Sequence, residues 1–302
     1  MTKLKLIKTY QVENTYAGHG WSHEETYKYV FQCPSGILEA GFFLHYNDAS
    51  KSILVKRVIE LPLSVGCYMG CLFCASGSIP QCTPLTGQDM FDIYLEVQKV
   101  HSVRFGEPLL ITFTGIGEIA DNFTAVHECV RRIGVSRPKF DITLSSCRWT
   151  KELMEQALFL QSYGNIRKIQ QTYVHYDADT MHRLIPGLCD VTEFSIAQWV
   201  NCVSEIAFNR FRLNYVALRG INDSSENVQA LARLLHPVRE KVLVRVSMLN
   251  KTKTSVKNGL RSASIEMMEL VRMQLNEMGI QAYVFYSHKN DGMNCGQLIT
   301  EA

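Results

Sequence analysis

The chain has 302 residues, 46% of them hydrophobic and 20% charged, with a net charge of +2. This is the make-up of a soluble globular protein with room for one large domain or two small ones. So weak a positive balance permits contact with nucleic acid without arguing for it. No apolar run approaches the roughly eighteen residues of a membrane span, and the start, MTKLKLIKTYQVENTYAGHGW, has no apolar signal core. The ten cysteines therefore point to a reducing cytosol, where thiols hold metals or do chemistry rather than pair.

The first twenty-five residues read as polar and irregular. TYKYVFQ (26–32), GILEAGFFL (36–44) and SILVKRVIELPL (52–63) then read as β segments separated by the turn signals PSG and HYNDASK. From there strands and helices alternate. LLITFTG (109–115) is a buried-strand run, 122–134 a helix-period run ending at Gly134, DITLSS (141–146) a strand, and 151–160 a helix. KIQQTYVH (168–175) and RLNYVALRG (212–220) continue the series, followed by a helix opened by NDSSE, with Asp223 or Ser224 as its cap. KVLVRVSMLN (241–250), a helix over 264–279 and AYVFYS (282–287) close it. This alternation predicts an α/β fold with a parallel sheet wrapped by helices, with its site at the carboxyl ends of the strands.

CYMGCLFC falls at such an end, with Cys67, Cys71 and Cys74 spaced C-x3-C-x2-C. Structural zinc is usually closed by four ligands, and the chain has no second C-x2-C or H-x3–5-H knuckle. Ordinary ferredoxin clusters also use four cysteines. Three cysteines leave one iron of a [4Fe–4S] cube open to a substrate or cofactor. Gly66 and Gly70 let the backbone curl around the cube, and Phe73 shields it from water. One unit later comes GIGE, Gly115 to Glu118, whose small residues permit close approach of a bound molecule and whose carboxylate suits an ammonium group. Cys33, Cys129, Cys189 and Cys202 read as buried small apolar residues.

The C-x3-C-x2-C loop with an aromatic before its last cysteine resembles the radical S-adenosylmethionine (SAM) superfamily, and GIGE resembles its motif for the SAM amino group. Within it the chain is similar to the RlmN/Cfr family, which methylates an adenine of ribosomal RNA. NCGQL (294–298) resembles that family's ACGQL, and LPLSVGCYMGCLFCASG its SxQVGCxxxCxFCxTG. GIGEIADN, TLSS, NYVALRGINDSSENVQALARLL, VSMLN and YKYVFQCPSGILEAGFF fall in the family's order, so the resemblance runs from about residue 26 to the end. It implies a partial (β/α)6 barrel over 59–302 behind a short N-terminal β extension over 1–58. It also implies one [4Fe–4S] cluster per chain held by Cys67, Cys71 and Cys74, SAM as second cofactor, and a flavodoxin- or ferredoxin-type electron donor. Cys295 is the implied methyl carrier: one SAM methylates it, and a radical from a second takes hydrogen from that methyl, which then adds to an electrophilic ring carbon. Gly115, Gly117, Glu118, Ser145 and Asn250 are the implied SAM-binding residues, and Glu39 the implied substrate contact.

Two departures bear on the substrate, implied to be a nucleobase or another heterocycle. Where the family has a second cysteine, seven residues before the cluster's first, this chain has Glu60, which can take a proton but cannot form a disulfide with Cys295. Cys147 is a candidate replacement; Glu60 also reads simply as a strand residue. The stretch ahead of the strand pair is too short for the helical domain with which the family grips RNA, which favours a small substrate or RNA held in another way. The family's SLHA is here TYVH, and His175 in it reads equally as a packed or a functional histidine. Hydrogen abstraction on a small molecule without methyl transfer, and a non-catalytic metal protein associated with RNA, stand as the alternative functions.

Overall fold

The computed structural model describes residues 4–15, 22–79, 81–101, 107–188, 195–287, 292–294 and 296–301. Its frame is a ten-stranded sheet. β1 (Lys5–Thr15), β2 (His23–Cys33), β3 (Gly36–Tyr46) and β4 (Leu54–Glu60) form an antiparallel meander. β5 (Ser64–Val65) and β6 (Thr83–Pro84) pair with each other outside the main sheet. The sheet passes from β4 in parallel to β7 (Leu110–Phe113), β8 (Asp141–Ser146), β9 (Asn165–Tyr173), β10 (Phe211–Ala217), β11 (Val242–Met248) and β12 (Ala282–Phe285). The helices are α1 (Gly87–His101), α2 (Phe123–Ser136), α3 (Lys151–Phe159), α4 (Ala178–Leu184), α5 (Ile196–Glu205), α6 (Ser225–Leu235), α7 (Lys253–Lys257) and α8 (Ile265–Glu277). None is long and apolar enough to cross a membrane.

The parallel α/β expectation holds, and three details differ. The opening stretch forms β1, a full edge strand paired to β2 from Lys5↔Gln32 to Thr15↔His23. Its mixed KLIKTYQVENT gives no clean alternation: none of its described side chains is fully buried, and the register shifts between Leu6 and Lys8. The helices α1, α4, α5 and α7 are absent from the sequence expectation, although Met90, Ile93, Tyr94 and Val97 bury one stripe of α1. α2 runs two residues past Gly134. Ser224, rather than Asp223, caps α6 through the Asn227 amide, while Asp223 accepts from Gly220. Of the cysteines expected in the core, Cys33 and Cys129 are buried and Cys202 is half-buried; Cys189 lies outside the described residues.

The two faces of the parallel strands divide the work. Ile142, Leu144, Ile169, Leu213, Tyr215, Val244 and Val246 are fully buried in the apolar core, each large side chain contributing about 1.5–3 kcal/mol. The alternate residues line the other face: Glu60, Thr112 and Thr143 lie in register with Lys168, as do Ser145, Gln170 and Arg212, and Thr172, Asn214 and Arg245. This face is concave. On a flat sheet Lys56 of β4 and Arg212 of β10 would lie about 19 Å apart, yet Arg212 lowers the basicity of Lys56.

Candidate active site

The three-cysteine loop starts where β5 ends. Gly66 and Gly70 both have positive φ, +72° and +58°, a conformation that costs glycine nothing and turns the backbone twice within five residues. The Leu72 amide donates to Leu184 O at 3.0 Å, Gly187 to Met69 O at 2.9 Å and Cys74 to Cys71 O at 3.1 Å. α4 and the turn after it therefore hold the loop from one side. From the other side, the Ala75 amide donates to Gly296 O at 2.8 Å.

Cys67, Cys71 and Cys74 form no disulfide and are partly accessible. Burial pushes the Cys67 thiol well above its ordinary range, and the nearby Cys71, Cys74 and Glu118 add to the effect. Three soft sulfur ligands thus lie on one loop, near enough to influence one another, where a negative charge is disfavoured unless a cation takes it. That donor set fits an iron–sulfur cube with one iron left free of protein ligands.

Glu118 is buried just behind this loop. Its carboxylate accepts from the Ala120 amide at 3.1 Å, Ser146 Oγ at 2.5 Å, and the Cys147 amide and thiol at 3.1 and 3.0 Å. The hydrogen bond to Cys71, burial and Glu118 together hold the Cys147 thiol protonated, away from the thiolate that thiol exchange requires. The two motif glycines serve the chain's own packing. A side chain at Gly115 would meet Leu61 O at 2.9 Å, and one at Gly117 would meet the Leu63 Cβ at 2.8 Å and collide with the Ser64 side chain. Gly117 also has φ +108°. Ser145, on the concave face, accepts from Gln170 Nε2 at 3.0 Å. Asn250 lies two residues past β11, half-buried.

Glu60, at the end of β4, is an engaged residue. It forms an ion pair with Lys28 at 3.2 Å and accepts from Thr114 Oγ1 at 2.9 Å. Lys28, a lone cation in TYKYVFQ, carries no signal of this role in the sequence. Glu39 is buried on β3 and faces the chain's own C-terminal segment. It accepts from the Ile299 amide at 3.1 Å, the Thr300 amide at 2.9 Å and Thr300 Oγ1 at 2.8 Å. A cavity of about 390 Å³ beside it is lined by Gly36, Val65, Gln81, Ile116, Leu298 and Thr300, among others. His175 accepts from the Asp177 amide at 3.0 Å, stacks on Tyr176 and is shifted down by burial, as a packed turn histidine is.

Cys295 lies outside the described residues. The residues on either side of it are tied down. Asn294 Nδ2 donates to Gln297 Oε1 at 2.9 Å, Gln297 Nε2 donates to Lys251 O at 2.7 Å, and Gly296 holds Ala75.

No protein-family model matches the chain. It is 29% identical over 290 residues to a probable dual-specificity RNA methyltransferase RlmN of Desulforamulus reducens, covering 91% of this chain and 74% of that protein. It is 26% identical over 293 residues to the protein of the same name from Streptococcus agalactiae, covering 92% and 74%. Among solved structures, a radical SAM methyltransferase from Sphaerobacter thermophilus superposes with a TM-score of 0.76 at 24% identity, over all of this chain and 82% of that one. The chain is thus similar in sequence to these RNA methyltransferases and in fold to a radical SAM methyltransferase, and by both it is an RlmN/Cfr-like radical SAM enzyme. The cofactors of that class are a [4Fe–4S] cluster and SAM.

Proposed function

We propose that the chain is a cytosolic radical SAM methyltransferase that places a methyl group on an sp² carbon of an adenine-type base or another heterocycle, with Cys295 as the methyl carrier. The supporting observation is the Ala75–Gly296 hydrogen bond, which ties the segment holding the carrier cysteine to the segment holding the cluster cysteines. Chemistry that passes from one to the other needs that proximity. Bound at Cys67, Cys71 and Cys74, a [4Fe–4S] cluster supplies the electron that reductively cleaves SAM, and a flavodoxin- or ferredoxin-type protein is the donor class that reloads it.

The chain's own residues then divide as follows. Cys295 as a thiolate takes a methyl group, and Ser145 and Asn250 offer polar contacts to SAM at the carboxyl ends of β8 and β11. Glu118, already holding four donors, fixes the strand ends around SAM and presents negative charge toward its ammonium group. Glu39 meets substrate only after the tail leaves it, so it acts first as the anchor of the carrier loop. Glu60, between Lys28 and Thr114, is a carboxylate placed to accept a proton at the rim of the concave face.

Glu60 favours a second reading as well. A carboxylate held by an ion pair completes no disulfide with Cys295, which suits hydrogen abstraction on a small molecule without methyl transfer. Peptide mass spectrometry after anaerobic reconstitution and incubation with SAM separates the two. Methylation predicts a mass increase of one methyl on Cys295, absent in Cys295→Ala. An unmodified Cys295 together with 5′-deoxyadenosine formation sinks the methylation reading and leaves the second.

A further inference from the structure

The concave face carries a cationic cluster that the methylation chemistry leaves unused. Lys168 lies in register with Thr143, Arg212 with Gln170 and Arg245 with Asn214, so three adjacent strands, β9, β10 and β11, turn a cation to the same side. Lys56 of β4 adds a fourth across the curve, as its electrostatic effect on Lys168 shows. Three other partly buried cations have carboxylates, Lys28 with Glu60, Arg57 with Glu107 and Arg148 with Asp121, and Lys241 is held by three backbone carbonyls. Among the described residues, no carboxylate lies within 4 Å of the charged nitrogens of Lys168, Arg212 or Arg245. The nearby acids are engaged at the rim, Asp141 with Arg167 and Glu24 with His45.

The partners that the two arginines do have are neutral. Arg212 Nη1 donates to Gln170 Oε1 at 3.2 Å, and Arg245 Nε donates to Asn214 Oδ1 at 2.8 Å. These amides aim the guanidinium groups without neutralising them. Arg212 Nε is buried with no hydrogen-bond partner. Burial and mutual repulsion push Lys168 down to about 7 and Arg212 down to about 10. Such an arrangement is costly for a folded chain unless an anion completes it. The three cations stand at successive levels of the face, Lys168 two residues below the row of Arg212 and Arg245 two above it, and together offer the charge and donors that a phosphate dianion takes.

We propose that this face of β9–β11 is a phosphate site that takes the phosphoryl group of a nucleotide substrate, with Lys168, Arg212 and Arg245 as its ligands. The inference rests on the nucleobase reading above and extends it. Gln170 joins the site to Ser145 at the cofactor end, and Lys168 stands two residues, about 7 Å, below Gln170. A base under the cofactor and its phosphate at this depth is the pose implied.

The test is titration calorimetry on the anaerobically reconstituted protein with adenosine, adenosine monophosphate and a short single-stranded oligoribonucleotide. A site for a free nucleotide gives the monophosphate at least about tenfold tighter binding than adenosine. That difference disappears in Arg212→Met and Lys168→Met, with folding checked by circular dichroism. If Arg212→Met does not fold, Lys168→Gln, on a half-exposed side chain, carries the test alone. Oligoribonucleotide binding that depends on the same cations, without a monophosphate preference, assigns the phosphate to RNA. Equal affinity for adenosine and the monophosphate, with oligonucleotide binding insensitive to these substitutions, overturns the site. Reductive cleavage of SAM is scored separately. Its failure beside an intact phosphate preference sinks the methylation reading alone.

Discussion

Glu39 shows how much a single residue's meaning depends on a partner distant in sequence. Its carboxylate binds two amides and a hydroxyl of Ile299 and Thr300, 260 and 261 residues away. Hydrogen bonds to a charged acceptor contribute about 1.5–3 kcal/mol each, and Glu39→Ala removes all three. The expected result is local: amide exchange at Ile299 and Thr300 speeds up by a factor of ten or more, while the global unfolding midpoint moves little. Unchanged protection at those two amides would refute the anchoring role. The family resemblance implied Glu39 as a substrate contact, and nothing in GILEAGFFL points to a tail. The three cluster cysteines were legible because their chemistry is written in contiguous spacing. The side chains brought together by folding, Glu60 with Lys28 and Cys147 with Glu118, were not.

At the level of elements, the strands and helices named from the sequence are present, while α1 and α5 went unread although each buries an apolar stripe. β1 is an edge strand with no fully buried residue among those described, whereas α1 opens on a Thr86–Asp89 capping box whose T-x-x-D signature was there to be read. The GIGE turn was readable as a motif, but its reason lies in packing: the β7 end passes so close to residues 61–64 that only glycine fits. Gly117→Ala therefore combines a strained backbone, about 1–3 kcal/mol, with an overpacked contact, about 1–3 kcal/mol. Urea unfolding should show a loss of at least about 2 kcal/mol. A variant as stable as the parent would mean that residues 61–64 yield easily. Because the same turn precedes Glu118, cleavage of SAM should fall in this variant too.

Across the whole molecule, the buried lysines of the inward face predict a pH dependence. Lys168 and Lys56 are shifted down, to about 7 and about 8, mainly by burial and then by neighbouring cations, with Glu24 and Asp141 opposing the shift for Lys56. The unfolded chain keeps those protons up to the ordinary lysine range, so it binds more protons than the folded chain above pH 7. Stability then rises with pH in that window. Denaturant midpoints between pH 7 and 8.5 should increase, and Lys168→Met should flatten the slope; an identical slope in the variant would refute the assignment. The alternation that makes the strands apolar outward and polar inward also separates two kinds of selection. Exchanges among the inward residues of β8 to β11 leave the layer against the helices untouched, so a lineage built on this sheet can change what it acts on without first gaining stability to spare.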